Sequence, residues 1–208
     1  MVIFRNAAAV TAAIVTGAAP VVAQAPTAKP LDVAGVRPGM TADAALALLK
    51  RDGWSVQPVE GDTWDETVAR AVDRRRGTFT TISAPKTGIG GYKASKGEES
   101  VSVEVHPTPQ GGEVGTVSYR APWAGRPFEQ LRADLHRRYG TPTFEPPAGR
   151  QGRIVYQRQG RIGPVLSFEP ESGGPIIQLT EGVPAEQAWL AAVDRAVSAK
   201  LGTPKTSF

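Results

Sequence analysis

Between Ser100 and Tyr119 the chain alternates regularly enough to define the two faces of a sheet. Val101, Val103 and Val105 fall on one side and Ser102, Glu104 and His106 on the other; Gly111-Gly112 then precedes a second run from Val114 to Tyr119. A period of two sends successive side chains to opposite faces. This stretch therefore reads as an antiparallel hairpin with one apolar and one solvated face, joined by a loop around Pro107 to Gly112. The apolar face of such a hairpin has to be covered, and helices elsewhere in the chain can cover it.

Four helices follow from the 3.6-residue spacing of apolar positions. In the first, Thr41 is the N-cap, Asp43 sits in the first turn, Ala44, Leu46, Leu48 and Leu49 make the stripe, and Gly53 stops it. The second runs from Trp64 to Arg76 with Trp64, Val68, Ala71 and Val72 on one face and Arg74, Arg75 and Arg76 at the C-terminal end. The third runs from Pro127 to Tyr139, with Phe128, Leu131, Leu135 and Tyr139 in line and Gly140 closing it. The last extends from Pro184 to about Leu201, with Trp189, Val193, Val197 and Leu201 as its stripe.

Further strand candidates are Trp54 to Val59, Thr78 to Ser83, Thr141 to Glu145, Arg153 to Gln159, Val165 to Glu169 and Pro175 to Thr180, the last three as a meander. Pro85 through Gly97, rich in glycine and lysine and without periodicity, reads as a loop. The fold class is α+β. Laid on itself, the chain places Ala44 on Leu131, Leu48 on Leu135 and Gly53 on Gly140, so two helix-plus-antiparallel-sheet repeats are expected over 31–120 and 121–208, the second including the terminal helix.

The N-terminus has Arg5, an uncharged Ala- and Val-rich stretch from Ala7 to Val22, and small residues in Val21-Val22-Ala23-Gln24-Ala25. This is the three-part plan of a secretory signal peptide. Cleavage after Ala23 is preferred, because cleavage after Ala25 would put Pro26 just past the scissile bond. Residues 1–23 are then the signal and 24–30 a flexible leader. Thr11, Thr16, Gly17 and Pro20 make the stretch a poor membrane anchor.

The chain contains no cysteine. Disulfides, a thiol nucleophile, Cys-ligated metals and a lipid anchor on cysteine are thereby excluded. With 24 Lys and Arg against 20 Asp and Glu, the net charge is only +4, and the two signs are interspersed, which does not make a nucleic-acid-binding stripe.

The strings Ser83-Ala84-Pro85-Lys86 and Lys86-Thr87-Gly88 match S-x-x-K and K-T-G of penicillin-interacting serine enzymes. Here one lysine would have to serve both motifs, and Pro85 disfavours the helical turn that brings serine beside lysine. His106 and His136, the two histidines, read as solvated or surface-packed, and no metal or cofactor is expected. Asp62, Asp65, Glu66 and Arg70 could assemble a small-ligand or catalytic site, although acids in a first turn ordinarily serve as caps. Trp123 stands in a Pro- and Gly-rich connection between Arg120 and Arg126; these three are the candidate protein-interface residues, with packing beneath the loop as the alternative.

Val36-Arg37-Pro38-Gly39-Met40-Thr41-Ala42-Asp43 through Leu48-Leu49 resembles the G-M-T helix opening of the small lipoprotein subunit of the outer-membrane β-barrel assembly machinery, a module similar to the repeat of the β-lactamase-inhibitor-protein-like superfamily. Leu131 through Arg138-Tyr139-Gly140-Thr141-Pro142 looks like the helix ending of exported bacterial proteins that share this opening. The missing lipidated cysteine departs from the assembly lipoprotein. The resemblance implies a non-enzymatic periplasmic or secreted protein of the bacterial cell envelope that binds an envelope protein, with inhibition of a hydrolase as the alternative.

Overall fold

The computed structural model describes residues 30–78, 86–158 and 162–202. The expected signal, the leader up to residue 29 and most of the strand candidate at Thr78 to Ser83 lie outside the described residues. The elements run α1 (Ala42–Arg51), β1 (Ser55–Gly61), α2 (Trp64–Arg76), β2 (Gly88–Lys96), β3 (Glu99–Thr108), β4 (Gly111–Arg120), α3 (Phe128–Tyr139), β5 (Ile154–Gln157), β6 (Val165–Glu171), β7 (Gly174–Thr180) and α4 (Val183–Leu201). The strands form one antiparallel sheet in the order β1-β2-β3-β4-β7-β6-β5, so the protein is α+β with a C-terminal helix.

The register runs apolar rows across the sheet. Tyr92, Val103, Val117, Leu179, Leu166 and Tyr156 stand opposite one another in turn, and Ala94, Val101, Tyr119, Ile177, Phe168 and Ile154 form the next row. This face is roofed by Ala45 and Leu49 of α1, by Phe128, Leu135 and Tyr139 of α3, and by Leu31, Val33 and Val36 of the segment before α1, all in one buried cluster. Phe128 packs on Phe168 and Tyr139 on Tyr156, with ring centroids 5.9 and 5.5 Å apart. The N-terminal segment is tied to α3 because the Tyr139 hydroxyl donates to the Asp32 carbonyl (2.7 Å) and Arg138 donates to the Asp32 carboxylate (2.6 Å).

Local chemistry sets the helix ends. Thr41 accepts from the Ala44 N–H and caps α1, which stops at Asp52, one residue before Gly53. Ala42, Ala45 and Leu49, spaced three and four apart, are the buried side of α1, whereas Ala44 faces solvent, contrary to the stripe expected for it. At α2, Thr63 and Glu66 close a reciprocal capping box.

One segment reads differently in the structure. Residues 85–97, expected as a loop, contain strand β2. Its glycines serve close strand approach: a Cβ on Gly61 would lie 2.2 Å from the Gly90 Cα, and one on Gly91 would lie 2.1 Å from the Val103 carbonyl oxygen. Only Tyr92 and Ala94 supply its buried apolar side, too few to produce an alternating signal. Thr141 to Glu145 contributes one bridge, Phe144 to Val155, in place of a strand.

The meanders β2–β4 and β5–β7 pair through their last strands, so both halves of the chain share one sheet and one core. The first half runs α-β-α-β-β-β and the second α-β-β-β-α; they do not match element for element.

Helices α2 and α4 make a separate layer. Val68 and Val72 bury against Val197, flanked by Trp64, Val193 and Ala196, and Arg75 pairs with Asp194. α4 reaches the sheet through Trp189, which stacks on His106 with centroids 4.9 Å apart and donates its indole N–H to the Pro107 carbonyl (2.9 Å). His106 Nε2 lies 3.0 Å from Glu181 Oε1. Gly115 leaves the room for this latch, since a Cβ there would sit 2.2 Å from His106 Nε2.

Gly115→Ala therefore displaces the imidazole. Losing an aromatic stack and a hydrogen-bonded contact, roughly 2 kcal/mol together, should lower hydrogen-exchange protection of α4 amides by about tenfold or more. The central strands should keep theirs. Unchanged α4 protection would show that the α2 contacts alone hold the helix.

Candidate functional site

The face of the sheet opposite the core is open over β1 to β4. The same registers that gather the valines on one side set Ser55, Ser95, Ser100, Arg120 and Ile176 in one row of the other, and Gln57, Lys93, Ser102, Ser118 and Gln178 in the next. α4 reaches this side only at its far end, where Trp189 meets His106. Small serine side chains between the longer Gln57, Lys93 and Arg120 leave a hollow of about 530 Å³. Its lining holds five serines, Gln57, Lys93 and Arg120, an apolar wall at Ile176, and no carboxylate.

Tyr119 lies at the boundary of this hollow. Burial and then the neighbouring Glu99 carboxylate push its phenol up to about 12, so it is neutral at physiological pH. It carries Trp54 edge-on at 6.4 Å, which supports the sheet beneath the serines. Hydroxyls, one amide and two cations on a rigid sheet can donate to and accept from a ligand. Among the described residues, no group of three or more His, Asp or Glu is gathered as metal ligands.

The strand edges offer less. β5 is bordered by Phe144, whose carbonyl accepts the Val155 N–H at 2.8 Å. Edge strand β1 carries Pro58, which removes a donor in mid-strand.

The three expected interface residues gather at one end of the sheet. Arg120 lines the hollow, its side chain 57 % exposed and 3.3 Å from Glu171. Trp123 is half-buried against the core, and its indole N–H donates to the Glu171 carbonyl at 2.6 Å. Arg126 pairs with Asp134 and borders, with Trp123, a smaller recess of about 340 Å³. Thus Arg120 and Trp123 converge on Glu171, and Arg120 joins them to the hollow.

Of the acids at the start of α2, Asp62 and Glu66 are engaged locally, and Asp65 sits in the first turn of the helix. Asp62 pairs with Arg70 at 2.5 Å. Glu66 completes the capping box and also accepts from the Thr87 hydroxyl at 2.7 Å; the Thr63 backbone N–H and Thr87 hold its carboxyl below the usual range. Thr87 of the K-T-G string thereby serves the start of α2, while Ser83 lies outside the described residues. His136 Nε2 sits 3.0 Å from Glu145 Oε2, which also takes Arg132 Nη2 at 2.8 Å, and this group ties α3 to the following loop.

Sequence reading found Arg120 but missed the rest of the hollow. Ser100 and Ser102 were visible as the polar half of the β3 alternation. Lys93 and Ser95 were hidden because β2 reads as a loop, and Ser55 and Gln57 share a face with Ser102 only through the pairing of β1 with β2 and of β2 with β3.

The chain matches no protein-family model, no curated protein and no solved structure. No helix among the described residues is long and apolar enough to cross a membrane.

Proposed function

We propose that this is an exported, non-enzymatic protein-binding module of the bacterial cell envelope, acting in the periplasm or outside the cell, and that its binding surface is the open face of β1–β4 with Arg120 and Trp123 at its rim. The observation that carries the reading is the hollow itself: a concave stretch of sheet face lined by five serines, Gln57, Lys93 and Arg120, which α4 leaves open beyond the contact of Trp189 with His106, with β5 bordered by Phe144 and β1 interrupted by Pro58. The signal-like N-terminus and the resemblance of Gly39-Met40-Thr41 and the following helix to the assembly lipoprotein module support export and an envelope role.

A photo-crosslinking amino acid placed at Ser102, in intact cells, tests the surface against the same probe at exposed Arg74 on α2. Protein adducts from Ser102 and none from Arg74 are expected, together with a mature N-terminus at Gln24. A chain that keeps Met1 and stays in the cytoplasm would overturn export, and absence of any protein adduct at Ser102 would overturn the binding surface.

A further inference from the structure

We infer that the hollow on β1–β4 receives a carboxylate-bearing segment of its protein partner, a protruding Asp or Glu seated between Lys93 and Arg120; this rests on the protein-binding reading above. Charge and hydrogen-bonding complementarity select this occupant. The lining holds Lys93 and Arg120 and no acid. Lys93 is exposed and has no ion-pair partner among the described residues; Arg120 pairs with Glu171 at 3.3 Å, its side chain 57 % exposed. The five serine hydroxyls and the Gln57 amide can each donate, and together with two cations they make a donor-rich floor.

An ionised carboxylate brings only acceptors, and its bonds to a cationic donor are the stronger kind. A basic segment would meet two like charges, and a wholly apolar one would leave the hydroxyls and cations unpaired. The volume of about 530 Å³ suits a few side chains of an intruding loop. The size also explains the serines, since larger residues at Ser100, Ser102 or Ser118 would fill the floor on which the carboxylate has to rest.

The experiment extends the Ser102 crosslink. The captured peptide is sequenced, synthesised, and titrated against the full mature protein and its Lys93→Glu, Arg120→Glu and Arg74→Glu variants, each checked for native circular dichroism. The inference expects an acidic peptide, binding weakened about tenfold or more by either charge reversal in the hollow and unchanged by Arg74→Glu. It also expects binding to recover when the peptide's acid is changed to Lys against Lys93→Glu.

A captured peptide that is neutral or basic, or one whose binding ignores both reversals, overturns the inference while leaving the protein-binding surface in place. An adduct carrying glycan or lipid and no protein overturns both.

Discussion

Between pH 10 and pH 12 the protein should unfold, with its tyrosines ionising as part of the transition and not before it. The chain has four tyrosines, and each is held neutral beyond the ordinary phenol value near 10. Burial is the leading cause in every case. For Tyr139 burial pushes the phenol up to about 12, Arg138 opposes the shift, and Asp32 adds to it; the hydroxyl also donates to the Asp32 carbonyl, a bond only the neutral form can make. Tyr119 is likewise pushed up to about 12. Tyr92 and Tyr156 are shifted in the same direction, Tyr92 with Asp43 and Tyr156 with Glu145 as secondary causes.

The sign follows from linkage. Below pH 10 the phenol is neutral in both states, and its contribution to stability is intact. Above pH 10 the unfolded chain loses the proton while the folded one keeps it, so stability falls steadily until the folded pKa is reached. Tyr139 is only 4 % exposed, and it alone costs on the order of 2 kcal/mol by pH 12. Tyr92, Tyr119 and Tyr156 shift in the same direction and add to this loss, which is set against a domain stability of roughly 5–15 kcal/mol. Phenolate absorbance and circular dichroism followed together should change at the same pH. Tyrosines that titrate near pH 10 with the fold intact would contradict the packing described for Tyr139 and Tyr156.

How much of this was legible in the sequence depended on whether a signal was local. The spans of α2, α3 and α4 came from periodicity and agree with the structure to within a residue or so, because apolar stripes and caps are set by neighbours three and four positions away. The β3–β4 hairpin was legible for the same reason. β2 was not, because its role is decided by partners: Gly90 and Gly91 are there to let β1 and β3 come close, and only the pairing reveals that. The candidate surface shares this limit. Ser55, Ser95, Ser100 and Ser102 come from three different strands, and nothing within any one strand shows that their hydroxyls share a hollow. Trp123 shows the converse, since a loop tryptophan between two arginines reads as an exposed anchor, whereas its indole N–H is committed to the Glu171 carbonyl.

The two faces of the sheet predict opposite outcomes for adjacent residues in β7. Leu179 is fully buried, with Val117 on one side and Leu166 on the other in the central apolar row. Leu179→Ala removes buried methyl groups and leaves a void that rigid strands on both sides cannot fill, so it should cost about 2–5 kcal/mol in urea unfolding, with the slope unchanged. Gln178, one residue earlier, projects to the open face opposite Ser118 and Ser167 and is exposed. Gln178→Ala should move stability by no more than about 0.5 kcal/mol. The contrast isolates facing from position, since both residues lie in the same strand between the same neighbours. A large cost for Gln178→Ala would mean that the second face is covered by part of this chain and is not free for a partner. A small one would show that this face, with its serines, Lys93 and Arg120, lies open to solvent and contributes little to folding.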